Sequence, residues 1–383
     1  CRLLLGVNSY KMVNDFSIYY KEEHVLLRKM VREFAKNELA PMSLEIDSKS
    51  KFPMESIKKL AELGLMGIPW DTKYGGGGMD TLSLVITIEE LAKVCVSTAA
   101  TLMAHTSLGT GPFHYFGNQE QKEKYLSRLA KGEMIGSFAL TEPNAGSDAG
   151  NTETIATLNG DNFIVNGQKI FCTNAGYAGS IIFTSRIIEN GEDKGIGALY
   201  VDANTKGLVL SEPEKKMGWK GSDTRSIYFN DMSIPSSNIL GNPGSGFKNF
   251  LQTLTIGRIS ISALALGTAV GAYELALKYS NEREAFGKKI NSFQAISFKL
   301  SDMITQISAA RQLIYHAAWL KDQGKNVIKD AAIAKLFSSE AAMKITTDAI
   351  QIHGGYGYIE DYHVERFFRD AKILEIGEGT SEV

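Results

Sequence analysis

Near the end of the chain, the stretch "EIGEGTSEV" sets Glu378 between Gly377 and Gly379. Glycine shields nothing and lets backbone bend sharply or approach a ligand closely. A carboxylate placed there is either a surface charge near the chain end or a base aimed into a pocket. Two other segments carry groups suited to a polar, planar ligand. "ALTEPNAGSDAGN" gathers Thr141, Asn144, Ser147 and the amides beside Gly146, although the same residues suit a turn that joins two domains. "NEREAFGKKINSFQ" offers the Arg283 guanidinium as a fork for phosphate and Phe286 as a face for an aromatic ring, with Gln294 beyond. Read alone, it is also an ordinary helix-turn-helix with a core Phe and a capping Arg.

Other chemistries lack their signatures. No GxxxxGK[ST] loop, HExxH, GxSxG or GxGxxG between a strand and a helix is present, so nicotinamide and nucleotide-hydrolysis readings lose their main support. The glycine-rich "YGGGG" and "GNPGSG" read as loops. Cys1, Cys95 and Cys172 are too few and too scattered for a disulfide framework or a zinc site; a reducing compartment and no metal are expected. The formal net charge is -2, from Lys+Arg 41 against Asp+Glu 43, and no long basic run advertises a nucleic-acid surface. No membrane insertion is expected either, for want of a sufficiently long apolar run. The opening "CRLLLGVNSYKMV" lacks the features of a signal peptide and reads as extra residues ahead of a start at Met12.

The elements that must position these groups fall into three parts. From about Asp15 to Leu129 apolar residues recur at helical spacing, with Val25, Leu27, Met30, Val31 and Phe34 on one expected face. Pro41, "YGGGG" and "GTGP" at Gly109 to Pro112 interrupt the helices. Past Thr141, short Ile/Val/Phe/Thr runs alternate with Asn-Gly pairs at 159, 166 and 190, which predicts hairpins and a compact antiparallel β domain. "NFIVNGQKIFCT" reads as strand, turn, strand. From Phe247 the helical period returns in stretches apolar over much of their surface, suited to a bundle or a subunit interface. The last long helix is expected to stop at Gly354-Gly355. The fold class is α+β multidomain: a helical domain over 12–137, a β domain over 138–245 and a helical domain over 246–383.

These segments, with "TDAIQIHGGYGYIEDYHVERFFRDAKILEIGEGTSE", resemble the acyl-CoA dehydrogenase family in order, spacing and residue type over Met12 to Val383. The similarity points to its short- and medium-chain, homotetrameric branch. The resemblance implies FAD between the β domain and the C-terminal helices. Phe138, Leu140 and Thr141 would line the flavin ring, and Ser147 would sit by the pyrophosphate and the CoA entrance. Phe171 and Thr173 would cover the other face, with phenylalanine where many members have tryptophan. Arg283, Phe286 and Gln294 match residues that reach the ADP part of FAD in a neighbouring subunit. Gln351, Gly355 and Thr380 match other cofactor contacts. Arg258, with Thr255 beside it, matches the CoA and active-site region, and Gly379 lets the backbone approach the thioester.

By the same resemblance Glu378 is the base that removes the α-proton of an acyl-CoA while flavin N5 takes a hydride from the β-carbon. A related branch carries its base where this chain has Gly257. The expected product is trans-2-enoyl-CoA, with electrons passed to an electron-transferring flavoprotein. Alternatives are the same site run in reverse as an enoyl-CoA reductase, and a non-catalytic flavoprotein relative. Gly377 stands where many members have tyrosine, and His105 is expected to be structural. The compartment expected is bacterial cytoplasm, or the mitochondrial matrix in a eukaryote. The family usually continues past the EGT segment into a final helix.

Overall fold

Helical periodicity in the first third is realised in α1 (Glu22–Phe34), but its buried face is not purely apolar. Leu27, Val31 and Phe34 are joined inside by His24 and Arg28, while Val25 is turned out. Polar groups go inward because partners wait there: His24 Nε2 lies 2.9 Å from the Asp80 carboxylate, and Arg28 donates to Glu89 and Glu90. Those glutamates lie on α2 (Thr81–Ala92), a wholly buried helix N-capped by Asp80. The structure, a computed structural model, describes residues 18–383; residues 1–11 and the start expected at Met12 lie outside the described residues.

After α3 (Val96–Met103) the chain winds on through a π-helical stretch, Ala104–Thr110, into a further short helix, Gly111–Phe116. The "GTGP" segment therefore does not end the helical run. Pro112 falls in a first turn, where its missing N–H is no loss.

Seven strands form one sheet: β1 (Ile135–Ala139), β2 (Ile155–Asn159), β3 (Asn162–Thr173), β4 (Ala178–Glu189), β5 (Glu192–Asp202), β6 (Leu208–Leu210) and β7 (Thr224–Pro235). Most pairs are antiparallel, as expected, but β4 runs parallel to both β1 and β2, so the sheet is mixed. The connections explain it: neither β1 nor β2 reaches β4 by a tight turn, and long crossovers permit parallel pairing. Two of the three Asn-Gly sites sit at hairpins. Asn190 and Gly191, with φ of 52° and 78°, turn β4 into β5, and Gly160 turns β2 into β3. The third does not: Asn166-Gly167 lies inside an unbroken β3, at a register shift. There a Cβ on Gly167 would come within 2.5 Å of Thr154 Oγ1.

The final part is a bundle of α4 (Gly246–Glu282), α5 (Gln294–Asp322), α6 (Ile328–His353) and α7 (Val364–Ala371). Contrary to expectation, α4 is long and apolar enough to cross a membrane by length and composition. In this fold 78% of its most apolar window is buried, against α6 and α2. As predicted, α6 stops at Gly354, which takes φ of 61°. The two helical parts are locked by Glu89. Its carboxylate accepts from Arg28 (2.9 Å), Arg311 (2.7 Å) and the Tyr315 hydroxyl (2.6 Å), the last two on α5. Burial alone would raise the Glu89 carboxyl; the two guanidiniums overcome that and hold it well below the usual range.

Candidate active site

Glu378 sits in a loop held by two helices, α4 and α6. Its own φ is 54° and that of Gly379 is 98°, so two consecutive residues are left-handed, a strained state for a glutamate. Arg258 on α4 donates from Nε to the Glu378 carbonyl at 3.3 Å, and Lys335 on α6 donates from Nζ to the Gly379 carbonyl at 2.6 Å. Both cations grip backbone, and neither grips the carboxylate. The loop backbone is half-buried, yet both Glu378 carboxylate oxygens are shut off from solvent and have no hydrogen-bond partner among the described residues. Burial pushes this carboxyl up to about 8, with Arg258 and Lys335 pulling the other way.

The carboxylate lies against α4 where the helix has no side chain. A Cβ on Gly257 would stand 2.1 Å from Glu378 Oε2 and 3.1 Å from Leu108 Cδ2. Leu108 belongs to the π-helical stretch, which reaches β1 through paired glycines: a Cβ on Gly109 would be 2.5 Å from the Gly136 carbonyl carbon. Buried His105 fastens the same contact. It receives the Gly136 N–H on Nδ1 at 3.0 Å and has Nε2 at 3.1 Å from the Leu129 carbonyl, the structural role expected of it.

The β-domain residues singled out from the sequence converge. Phe138 packs on Phe250 of α4 with ring centroids 4.4 Å apart, and Leu140 joins the same cluster. Ile170 N–H donates to the Thr141 carbonyl at 2.8 Å, and Ser137 Oγ donates to the Thr173 carbonyl at 2.7 Å, so β1 and the end of β3 lie side by side. Between them β3 slips register, and Phe171, with φ of 57°, swings its ring outward to 64% exposure. Ser147 is exposed in the loop that follows Thr141. That loop touches α4 where Gly150 faces the Phe247 ring.

A second group gathers elsewhere. Arg283 and Gly355 line one cavity of about 530 Å³ together with Tyr279, His353 and Tyr356, and none of the groups around Glu378 borders it. Phe286 and Gly287 form a two-residue hairpin loop, both with positive φ, that holds the Phe286 ring 95% exposed. Gln294 and Gln351 are exposed on their helices. Thr380 follows Gly379 in the loop, and Thr255 Oγ1 is occupied by the Leu251 carbonyl one turn back on α4.

Residues 21–133, 137–232 and 244–383 match the N-terminal, middle and C-terminal domains of acyl-CoA dehydrogenase. The chain belongs to the acyl-CoA dehydrogenase family. Among relatives, a Bacillus subtilis protein described as "Probable acyl-CoA dehydrogenase" is 51% identical over 363 residues, 94% of this chain and 96% of its own. Butyryl-CoA dehydrogenase from Megasphaera elsdenii superposes with a TM-score of 0.92 at 44% identity, covering 95% of this chain and 96% of that one. A chain from the structure described as the electron transferring flavoprotein of Acidaminococcus fermentans superposes with a TM-score of 0.93, also at 44% identity. It covers 96% of each chain. This acyl-CoA dehydrogenase is accordingly an oxidoreductase that uses FAD.

The residues present fit that cofactor. Two phenylalanine rings stand in solvent on left-handed backbone, an arrangement that gains nothing until a planar ring covers them. Spacing and composition did not single out Lys335; its one signal was a lysine amid the apolar run "AAIAKLF". Lys169 was passed over too. Fully buried on β3, it donates to the Leu140 carbonyl at 3.1 Å and to Glu142 at 2.6 Å, fixing the segment that carries Thr141.

Proposed function

We propose that this enzyme oxidises a short acyl-CoA thioester to trans-2-enoyl-CoA, with Glu378 as the base, and passes the electrons to an electron-transferring flavoprotein. The observation that carries the reading is the Glu378 carboxylate: buried, unpartnered, and pushed up to about 8 by burial. A carboxylate left in water is too weak a base for an α-proton, and desolvation brings it toward the working range. FAD held by the residues below would supply the hydride acceptor. Among the described residues the Glu378 N–H has no acceptor, so it is free to donate to the thioester oxygen as negative charge develops there. Phe138, Leu140, Thr141, Phe171 and Thr173 are read as the flavin-ring site, with Ser147 at the pyrophosphate and CoA entrance. Arg283, Phe286, Gln294, Gln351, Gly355 and Thr380 are read as further FAD contacts. Thr255, Arg258 and Gly379 are read as substrate contacts.

Oxidation is favoured over the reverse reduction because the Bacillus subtilis relative and the Megasphaera elsdenii structure are described as dehydrogenases. The short acyl chain follows the butyryl-CoA enzyme, and the electron acceptor follows the Acidaminococcus structure. A homotetramer serving fatty-acid β-oxidation completes the reading. Exposed Phe298, Trp319, Ile328, Ile333 and Leu336 on α5 and α6 give a second copy an apolar face to cover. The test is anaerobic titration of the purified yellow protein with straight, branched and aryl acyl-CoAs, following the oxidised flavin band. Bleaching by one class supports the reading and names the substrate. Absence of flavin, or no bleaching by any of them, overturns it.

A further inference from the structure

Lys335 is out of place in α6. Its neighbours on the buried face are Ala331, Ala334, Ser338, Ala342 and Ile345, and its side chain is 4% exposed. Burying an ammonium is costly without a carboxylate to pair it, and no carboxylate lies within ion-pair distance of Lys335 among the described residues. Its hydrogen bond is the one to the Gly379 carbonyl, at 2.6 Å. The ammonium therefore faces the Glu378 carboxylate across the same loop, and the two do not form an ion pair.

That separation has a chemical consequence. A lysine in contact with the carboxylate would stabilise its charge and occupy its oxygens, making it a weaker base. A lysine bonded to the carbonyl one residue later holds the strained backbone and leaves both oxygens free. We propose that Lys335 is a positioning residue for the base, gripping the Gly379 carbonyl so that Glu378 stays left-handed with its carboxylate aimed into the site. Arg258 does the same for the Glu378 carbonyl from the opposite helix. The charged groups around Glu378 are Arg258 on α4 and Lys335 on α6, and Lys335 in turn faces Glu375 and Glu382 of the terminal segment. Because the Lys335 charge lowers the carboxyl's affinity for a proton, its loss raises the pH at which the base becomes active.

This inference rests on the reading of Glu378 as the base, and its test separates the two. Lys335→Met and Lys335→Arg are compared with the wild type in anaerobic stopped-flow across pH 6 to 10, using the acyl-CoA that bleaches the wild-type flavin. The Met variant is expected to keep FAD, to lose about 10- to 100-fold in the limiting rate of flavin reduction, and to move its pH midpoint upward. The Arg variant, which restores donor and charge, recovers most of the rate. A Met variant with wild-type rate and midpoint overturns the inference while leaving Glu378 as the base. A wild type that no acyl-CoA reduces overturns the underlying reading instead. Should the Met variant fail to hold FAD, amide exchange over residues 377–380 in both apoproteins decides. Faster exchange in the variant supports the clamp, and equal exchange refutes it.

Discussion

Replacing Gly257 by alanine sets stability and catalysis against each other, in amounts the structure specifies. The residue lies within the 37-residue helix α4, where glycine in place of alanine costs roughly 1 kcal/mol in helix propensity. By that measure alone Gly257→Ala stabilises. The new Cβ would stand 2.1 Å from Glu378 Oε2 and 2.9 Å from its carboxyl carbon, so the carboxylate must retreat by about 1 Å to reach van der Waals separation. The clashing atoms end a flexible side chain, so the fold absorbs the change. The base is displaced from its working position, and a shift of about 1 Å costs on the order of 100-fold in rate. Thermal unfolding and anaerobic flavin-reduction kinetics on the same preparation test this. The expected result is a Tm at or above that of the wild type with a rate about 100-fold lower. A rate within about threefold of the wild type would refute the placement of Glu378 against Gly257.

Two further predictions follow from side chains outside the reacting centre. Glu89→Gln leaves Arg311 buried without a counter-charge and Arg28 with Glu90 alone, and is expected to destabilise by roughly 3–5 kcal/mol in denaturant unfolding; a loss below about 1 kcal/mol would mean that Glu90 and Tyr315 compensate. Phe286→Ala removes a ring that is 95% exposed, so the apoprotein should change by less than about 0.5 kcal/mol while FAD dissociates more readily on dilution; unchanged FAD retention would remove Phe286 from the cofactor site.

Much of this architecture was legible because periodicity and turn chemistry are local. The helix-β-helix order, the hairpins at Asn190-Gly191 and Gly160, and the stop at Gly354 all follow from residues adjacent in sequence. What escaped depends on distant partners. Val25 was expected on the inner face but is turned out, and His24 and Arg28 lie inside instead, because nothing in α1 itself reveals that Asp80, Glu89 and Glu90 lie across from it. Gly167 resembled a turn residue because its real reason, the close approach of Thr154, lies in the segment just before β2. The parallel pairing of β4 likewise rests on long-range topology. At the site, Glu378 was readable from its flanking glycines together with the family resemblance. Lys335 was not, because a single lysine in a helix reads as surface until the fold shows what its ammonium meets.

The most direct test of the central claim is the pH dependence of flavin reduction by acyl-CoA in the wild type and in Glu378→Gln. The group that must lose its proton is pushed up to about 8, so only about one-tenth of it is ionised at pH 7, and it is ionised almost fully by pH 9. The active, deprotonated form therefore grows as pH rises through the folded value. The wild-type rate should increase roughly tenfold over that interval, and the variant should bind the same thioester yet reduce flavin at least about 100-fold more slowly at every pH. A flat wild-type profile from pH 6 to 9, or a variant that reduces flavin as fast as the wild type, would contradict Glu378 as the base.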